Sequence, residues 1–282
     1  MSAITKFLPR NHLSYLVGKI VHWRGPTWWA RLTIEIFARV YNINVGEAEL
    51  PLDKYPSLGD FFVRKLKSGR RPVAESAWVV HPADSQISEH GEIHQGRLIQ
   101  AKGRYYHLKE FLFQENAAEI YDQGYFVTYY LCPTDYHRVH SPVDGFIRKV
   151  THVPGELWPV NKWSVENVQD LFSVNERIIL DIATEFGPVS LVFVGATNVG
   201  QIILSFDKNF IGNQLPPMGE NKSVEYQDPI EIQKGQELGM FRMGSTVVMV
   251  YSEGFRTLYP GKLKLNRYVR YGQALVWAPP PT

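Results

Sequence analysis

Apolar side chains recur at helical spacing in the first 45 residues. One set falls at i, i+3, i+4, i+7 and i+8, which predicts a helix with Asn11 as its N-cap. Its members are Leu13, Leu16, Val17, Ile20 and Val21. Gly25-Pro26 should end this helix, and Pro26 suits the first turn of the next one. The apolar stripe of that second helix consists of Trp29, Leu32, Ile36, Phe37 and Val40.

A third, short helix is predicted from Ser57 to about Leu66, and the pattern changes after Pro72. Short runs rich in Val, Ile, Tyr and Phe then alternate with turns rich in Gly, Pro, Asp and Asn, which is typical of β-strands. The runs are GYFVTYYL, GFIRKVTHV, ERIILDI, GPVSLVFVGA, GQIILSF and GSTVVMVY. The sequence therefore predicts an α+β protein, with N-terminal amphipathic helices at 1–55 and a β-rich domain at 56–282.

The β-rich part contains a weak internal repeat. HPADSQI and SPVDGFI share the pattern Pro-x-Asp-x-x-Ile, at Pro82, Asp84 and Ile87 and again at Pro142, Asp144 and Ile147. Two related β-halves would explain this repeat. Three matched positions could also arise by chance, so the residues leave both explanations open.

Charge separates the N-terminal segment from the rest of the chain. Residues 1–44 contain six basic residues and one acidic residue, Glu35, whereas the whole chain has a net charge of only +2. Basic amphipathic helices are typical of proteins that lie on an anionic membrane, here with Trp23, Trp28 and Trp29 at the level of the headgroups. An amphipathic hairpin packed on its own protein has the same pattern. A basic cluster that could bind lipid phosphate or face solvent follows. Its members are Arg64, Lys65, Lys67, Arg70 and Arg71.

The composition excludes several classes of protein. With 282 residues, 44% of them hydrophobic, the chain can bury a sizeable core. Its single cysteine, Cys132, excludes an intramolecular disulfide and any CxxC motif. No run of 18 apolar residues predicts a spanning helix, and the start of the chain lacks the pattern of a signal peptide. The low net charge gives no reason to expect a nucleic-acid partner.

Three polar clusters could carry chemistry. They are His81 to Asp84, Asp135 to His140, and Met243 to Thr246. His137 and His140 could ligate a metal, but neither an HExxH motif nor a cysteine partner accompanies them, so no metal site is predicted. The same histidines could act as general bases or be structural. With Ser245 the chain has the residue types of a Ser-His-Asp site, and the residues alone indicate only the possibility of serine chemistry.

Eight segments between about Phe61 and Val276 form a far more specific set. They are FFVRKL, HPADSQIS, QAKGRYYHL, DYHRVHSPVDG, VPGELWPVN, LFSVNERI, TEFGPVSLVFVGATNVG and KGQELGMFRMGSTVVMV. In order and spacing they resemble the bacterial-type, pyruvoyl-dependent phosphatidylserine decarboxylase family. The resemblance implies an inactive chain that cleaves itself between Gly244 and Ser245. It also implies that a pyruvoyl group formed from Ser245 then decarboxylates phosphatidylserine to phosphatidylethanolamine and CO₂.

The resemblance also assigns roles to individual residues. The family's self-cleavage triad carries over onto Asp84, His140 and Ser245, so that His140 activates the serine and Asp84 orients the histidine. His137 carries over as a substrate-handling residue. Met243 stands where the family has leucine, an apolar exchange of similar volume. A further departure is Ser85, which replaces a common glycine after the motif aspartate and affects local turn geometry more than chemistry.

The expected partners follow from the same resemblance. Cleavage would give a β chain, 1–244, and an α chain that starts at Ser245, and the two would remain associated. The substrate would be phosphatidylserine in an anionic membrane, which strengthens the membrane interpretation of the N-terminal helices. We therefore expect a peripheral protein on the cytoplasmic face of the bacterial cell membrane, and a homodimer is compatible with the sequence.

Two other interpretations remain open. SPVDGFIRKV and KGQELG resemble segments of lipoyl- and biotinyl-type hybrid barrels, which would suit a carrier or binding module. No Met-Lys pair at a hairpin tip supports attachment, so this likeness favours hybrid-barrel-like halves within a catalytic domain. The other interpretation is an inactive family member or a serine hydrolase. The intact mass of the purified protein separates them, because only the pyruvoyl enzyme is processed into two fragments.

Overall fold

The computed structural model describes residues 18–101, 104–197, 201–212, 220–242, 246–256 and 263–277. The α-helices are α1 (Thr27–Val40), α2 (Leu58–Phe62), α3 (Leu108–Leu112), α4 (Ala117–Ile120), α5 (Lys162–Asn167), α6 (Leu171–Val174) and α7 (Glu253–Arg256). The first strands are β1 (Ala77–Val80), β2 (Ser85–Glu92), β3 (Arg97–Ala101), β4 (Arg104–His107), β5 (Tyr125–Tyr130), β6 (Arg138–His140), β7 (Gly145–Val153) and β8 (Arg177–Thr184). The others are β9 (Gly187–Val194), β10 (Ile202–Leu204), β11 (Lys222–Ile232), β12 (Glu237–Phe241), β13 (Thr246–Tyr251), β14 (Tyr268–Val269) and β15 (Ala274–Trp277).

The N-terminal helices agree with the sequence pattern where they are described. Most of the first predicted helix lies outside the described residues, which begin with a helical turn at 18–21. Pro26 takes the N-cap position of α1, with φ −56° and ψ 142°, so the predicted break is confirmed. Two 3-10 turns, at Val45–Glu47 and Leu52–Lys54, join α1 to α2. Within the described residues, no helix is both long and apolar enough to cross a membrane.

α1 buries only a narrow face. The buried residues of α1 are Ala30, Ile34 and Ala38. This face contributes to a small core of its own, made of Ile34, Ala38, Ile43, Ala48, Tyr55 and Phe61. From the apolar stripe predicted for this helix only Phe37 packs against that core. The other members of the stripe are exposed, namely Trp29, Leu32, Ile36 and Val40. α1 therefore has a second apolar face that points outward.

The third predicted helix is shorter than expected. Ser57 caps α2 by accepting a hydrogen bond from the backbone N–H of Asp60 at 3.0 Å. The helix ends at Phe62, not near Leu66. Leu66 instead forms an antiparallel bridge with Ala48. A backbone whose polar groups pair with a neighbouring segment cannot also continue a helix.

An antiparallel sheet of eight strands forms the centre of the β-rich part, in the order β11-β7-β8-β9-β13-β5-β2-β14. The predicted α+β class is confirmed, and each of the six apolar runs contains a strand. β13 lies between β9 and β5, and all six of its residues are buried. A strand covered on both faces has a continuous apolar sequence, which explains the run TVVMVY.

A smaller sheet brings the candidate site residues together. It has the order β10-β12-β6, and β12 pairs with β6 so that Glu237 faces His140. Two-stranded pairs, β1 with β15 and β3 with β4, complete the described strands. β12 is also the last strand before residues 243–245, which lie outside the described part of the chain. The pairing of β12 with β6 therefore places the histidine motif next to the strand that leads into the predicted cleavage segment.

The two Pro-x-Asp segments make equivalent contacts, which supports the expectation of two related β-halves. In each half, a turn is joined by two backbone hydrogen bonds to a Gly-Gln segment. From donor to acceptor they are His81 to Gln273 (2.8 Å) and Gly272 to His81 (3.0 Å), and Ser141 to Gln236 (2.7 Å) and Gly235 to Ser141 (2.8 Å). The halves also bond to each other reciprocally, with Val80 N donating to Pro142 O (2.9 Å) and His140 N to Pro82 O (2.8 Å). Val80 therefore occupies the position that is equivalent to His140.

Candidate active site

Asp84 lies in the turn between β1 and β2, and its carboxylate is held from two sides. The backbone N–H of Tyr271 donates to Oδ1 at 3.0 Å. The guanidinium of Arg71 donates to Oδ2 from Nε at 2.8 Å and from Nη2 at 2.6 Å. The same Nη2 lies 3.0 Å from a carboxylate oxygen of Glu47. Asp84 is only 1% exposed, so this donor set is what makes a buried charge tolerable there.

His140 ends β6 and is buried against two tyrosine rings. The ring of Tyr271 stacks on the imidazole with the centroids 3.9 Å apart and an interplanar angle of 5°. Tyr136 lies 5.7 Å away at 27°. Burial lowers the pKa of His140 to about 4, while the Glu237 carboxylate raises it and the Arg138 guanidinium lowers it further. The imidazole is therefore neutral at pH 7, which is the form that can accept a proton.

The structure brings Asp84 and His140 into one site without a direct hydrogen bond between them in the described residues. The Asp84 carboxylate is bonded to Arg71 and to the Tyr271 N–H. Nδ1 of His140 is buried and has no hydrogen-bond partner among the described residues. Tyr271 contacts both members of the pair. The orienting role of Asp84 stays a prediction. Because Tyr271 contacts both residues, Asp84 can act on His140 through Tyr271.

His137 occupies a different environment. It is fully buried and donates from Nδ1 to the carbonyl oxygen of Asp135 at 2.8 Å. The ring of Phe62, at the end of α2, packs on the imidazole with a centroid distance of 4.1 Å. Burial lowers the pKa of His137 to about 3, and its buried Nε2 has no partner among the described residues. The substrate-handling role of His137 stays a prediction.

The structure describes the residues on both sides of the predicted cleavage segment. Gly244 and Ser245 lie outside the described residues, together with Met243. Before the segment, Phe241 N donates to His137 O at 3.0 Å. After it, Thr246 begins β13. The chain thus enters the segment beside a motif histidine and leaves it at the start of the central strand.

A pocket of ≈ 460 Å³ lies beside Thr246. Its wall combines polar and apolar surface in similar amounts, and the polar lining residues include Gln86, Ser88, Glu89, Gln100, Asn161, Glu166 and Asn266. Burial raises the pKa of Glu89. The volume is in the range of roughly 300–1,000 Å³ that is usual for small-molecule sites. A small polar group could therefore bind one residue away from the predicted position of the modified serine.

The basic cluster divides into buried and exposed members, so its five residues do not form one surface. Arg64 is buried with its guanidinium over the ring of Phe61, at 4.8 Å from the centroid. The guanidinium of Arg71 forms ion pairs with Asp84 and Glu47. The members that remain exposed are Lys65, Lys67 and Arg70. Composition alone could not separate these environments, because burial of an arginine depends on its partners in space.

No motif in the sequence marks Tyr271 as a site residue by itself. The signal that could have identified it is the repeated Gly-Gln pair, at Gly235-Gln236 and Gly272-Gln273. The residue before each pair donates its backbone N–H to the aspartate of a Pro-x-Asp motif. Once the two motifs are aligned, Tyr271 follows as the residue bonded to Asp84.

The contacts also bear on the alternative interpretations. Lys234, in the segment that resembles a carrier domain, donates its Nζ to the carbonyl oxygens of Glu75 and Ala77. The amino group of Lys234 is therefore occupied by hydrogen bonds within the protein. Among the described residues, no group of three or more His, Cys, Asp or Glu side chains is arranged to hold a metal ion.

Comparison with known proteins decides the family. The family model described as phosphatidylserine decarboxylase matches residues 58–276. The phosphatidylserine decarboxylase proenzyme of Anaeromyxobacter sp. (strain K) is 40% identical over 271 residues, which cover 96% of this chain and 95% of the relative. The chain belongs to the phosphatidylserine decarboxylase family. The proenzymes of Yersinia enterocolitica and Yersinia pestis are also 40% identical, over 98% of this chain and 95% of their own length.

Membership in the phosphatidylserine decarboxylase family confirms the resemblance drawn from the motifs. The family match begins with α2 and ends within β15. It therefore includes Arg71, Asp84, His140 and Tyr271, and it leaves α1 outside. The full-length relatives nevertheless align over nearly the whole chain.

Proposed function

We propose that this chain is a proenzyme that cleaves itself between Gly244 and Ser245 and then decarboxylates phosphatidylserine to phosphatidylethanolamine and CO₂. The observation that carries the proposal is the buried, neutral imidazole of His140 on β6, which pairs with the strand leading into the predicted cleavage segment. The relatives are named phosphatidylserine decarboxylase proenzymes, which supports the same activity.

Self-cleavage needs a base, because a serine hydroxyl is a weak nucleophile until its proton is removed. In the proposed step His140 takes the proton of Ser245, whose Oγ bonds to the carbonyl carbon of Gly244 while the peptide bond breaks. His140 returns the proton to the nitrogen of Ser245, which becomes a free amine. The resulting ester then eliminates, as the Cα proton of Ser245 is removed and its Cβ–Oγ bond breaks. The 1–244 chain leaves as a carboxylate, and water replaces ammonia on the dehydroalanine that remains, giving a pyruvoyl group. The low pKa of His140 keeps this base unprotonated at neutral pH.

When formed, the pyruvoyl group would act as a sink for the electrons released as CO₂ leaves. The described surroundings fit such a group, because Nδ1 of His140 and Nε2 of His137 are both buried without partners among the described residues. A proton must replace CO₂ on the substrate carbon, and these two imidazoles can carry it. The Phe62 ring packs on the His137 imidazole, as the Tyr271 ring does on that of His140.

We also propose that the segment at 1–55 lies on an anionic membrane, at the cytoplasmic face of the bacterial cell membrane. The supporting observation is the outward face of α1, where Trp28, Leu32, Ile36 and Val40 are all exposed. Contiguous apolar surface of this kind is uncommon on soluble monomers and is typical of interaction sites. Packing on the protein's own core accounts for only the opposite face of the helix.

The basic residues of this segment suit the same surface. Arg31 pairs with Glu35 at 2.7 Å, and Arg24 pairs with Asp60 at 3.3 Å. Both pairs are exposed, and exposed pairs are weak, so these arginines can exchange their partners for lipid phosphate at little cost. The segment therefore combines apolar contact with charge attraction, which is the usual basis of peripheral binding.

The processing step is the direct test of the proposed function. Purified wild-type protein should separate into two chains by mass, the smaller one being residues 245–282 with a blocked N-terminus. Ser245→Ala should remain one chain and should not release CO₂ from phosphatidylserine, because no hydroxyl remains to attack. Ser223→Ala, an exposed serine on β11, is the matched control and should be processed. Cleavage of Ser245→Ala into the same fragments would refute the proposal.

A further inference from the structure

Tyr271 connects the two predicted members of the triad that the structure describes. Its backbone N–H donates to Asp84 at 3.0 Å, and its ring lies parallel to the imidazole of His140 at 3.9 Å. A flat ring at this distance covers one face of the imidazole, and rotation of the histidine side chain would bring the two rings into collision. Packing on Tyr271 therefore restrains His140 alongside an interaction with the backbone of Arg138, while its Nδ1 meets no hydrogen-bond partner of full geometry among the described residues.

The second half of the β-rich part provides an internal comparison. Asp144 accepts a hydrogen bond from the backbone N–H of Lys234 at 2.7 Å, as Asp84 does from Tyr271. The aspartate-to-backbone bond is thus common to both halves and belongs to the fold. The residue that donates this bond differs between the halves. Lys234 has no aromatic ring, and its Nζ donates to carbonyl oxygens. Of the two equivalent residues, Tyr271 stacks on a histidine and Lys234 does not.

Arg71 adds a second difference between the halves. It donates two hydrogen bonds to Oδ2 of Asp84, which is buried. Asp144 is exposed, and no arginine in the described part of the chain bonds to it. A carboxylate fixed by a bidentate guanidinium has little freedom to move. The turn that carries Tyr271 is therefore held more firmly than its counterpart at Lys234.

We propose that Tyr271 is a positioning residue for His140 in self-cleavage, and that Asp84 and Arg71 act on the histidine through Tyr271. The inference rests on the function proposed above, since it requires His140 to be the base. It differs from an arrangement in which Asp84 bonds to the imidazole directly. The ring of Tyr271 is then the essential element, and its hydroxyl is not needed.

The test measures the rate at which the full-length chain is cut after cell-free synthesis. Tyr271→Leu and Tyr271→Met should each slow cleavage by about 10–100-fold, because a base that is misplaced by a fraction of an ångström loses this much. Tyr271→Phe keeps the ring and should be cut at nearly the wild-type rate. Lys234→Leu is the matched control at the equivalent position of the other half and should also be cut normally.

The pH profile separates positioning from a general loss of stability. Burial holds the pKa of His140 at about 4, against an ordinary value of 6.5. Loss of the covering ring would admit water, raise this pKa and make cleavage decline at a higher pH. Between pH 5 and 7 the wild type should show a nearly constant rate, whereas Tyr271→Leu should slow as the pH falls. A merely less stable protein would not show this change at a temperature where it remains folded.

Each outcome has a definite meaning. Wild-type rates for both Tyr271→Leu and Tyr271→Met would overturn the inference, and so would equal slowing of Tyr271→Phe. If Tyr271→Leu does not fold, Tyr271→Met decides, because its flexible side chain can fill the same space without a flat face. Normal cleavage of His140→Ala would contradict the proposed function itself. That result is distinguishable, since it does not depend on any change at Tyr271.

Discussion

The outward face of α1 gives a quantitative prediction about membrane binding. Leu32 and Ile36 are one helical turn apart and are 43% and 52% exposed. Complete burial of such a side chain contributes about 1.5–3 kcal/mol, so the exposed halves of the two together should contribute about 2 kcal/mol in lipid. Replacement of both by glutamine should therefore weaken partitioning about 30-fold, since 1.4 kcal/mol corresponds to a factor of ten.

Co-sedimentation with anionic vesicles measures this change. The double variant Leu32→Gln/Ile36→Gln is compared with wild type at low and at high salt, and self-cleavage is followed in the same samples. Both side chains point away from the core residues Ile34 and Ala38, so cleavage should be unaffected. The matched control is Val174→Gln on α6, an apolar residue of the β-rich part with 38% exposure, and its binding should not change.

The salt dependence makes the reasoning refutable in two ways. High salt screens the basic residues but not the apolar contact, so the difference between the double variant and wild type should persist. Equal partitioning of the two proteins would show that the outward face of α1 does not meet lipid. If wild type still binds at high salt and the difference from the double variant has vanished, the two side chains make no independent apolar contribution, and the apolar argument would then be wrong.

Three further predictions concern the site. His140→Ala should stop cleavage and Asp84→Ala should slow it less, because the first removes the base and the second its support; time courses of intact chain measure both, and rapid maturation of His140→Ala would contradict the mechanism. Arg71→Met should lower the free energy of unfolding by about 3–5 kcal/mol, since it leaves a buried charge unpaired; an unchanged urea midpoint would refute this. Burial lowers the pKa of His81 and His137 to about 3 and of His140 to about 4, below the ordinary 6.5. The unfolded chain then binds more protons, so these histidines should lower stability as the pH falls below 6.5, by up to about 1.4 kcal/mol per pH unit each; equal urea midpoints at pH 7 and 5 would contradict it.

Much of the fold could be predicted because the middle strands of the central sheet, β8, β9, β13 and β5, are buried over most of their length. Runs such as GFIRKVTHV and GPVSLVFVGA have no competing helical period, and β7 occupies the first run in full. The end of α2 could not be predicted in this way. Leu66 continues the helical pattern, but its backbone forms a β-bridge with Ala48, which is 18 positions earlier in the chain. A contact of that kind has no local signature.

The site residues were predictable only where a motif carried them. Asp84 and His140 stand in motifs that the family match includes, whereas Arg71 stands in a run of basic residues with no distinguishing feature. Its role depends on Glu47 and Asp84 lying on either side of it. The sequence shows the charges but not which of them face each other, and pairing in space decides which arginine is buried.

The internal duplication changes how a variant of Asp84 should be interpreted. Because Asp144 makes the same backbone bond in the other half, part of any effect of Asp84→Ala belongs to the fold and part to the chemistry. Asp144→Ala removes the equivalent bond but leaves the contacts of Asp84 with Arg71 and Tyr271 in place, so the difference in cleavage between the two variants reports the part that is specific to Asp84. On this argument, the chemistry resides where the halves differ, at His140 in place of Val80 and at Tyr271 in place of Lys234.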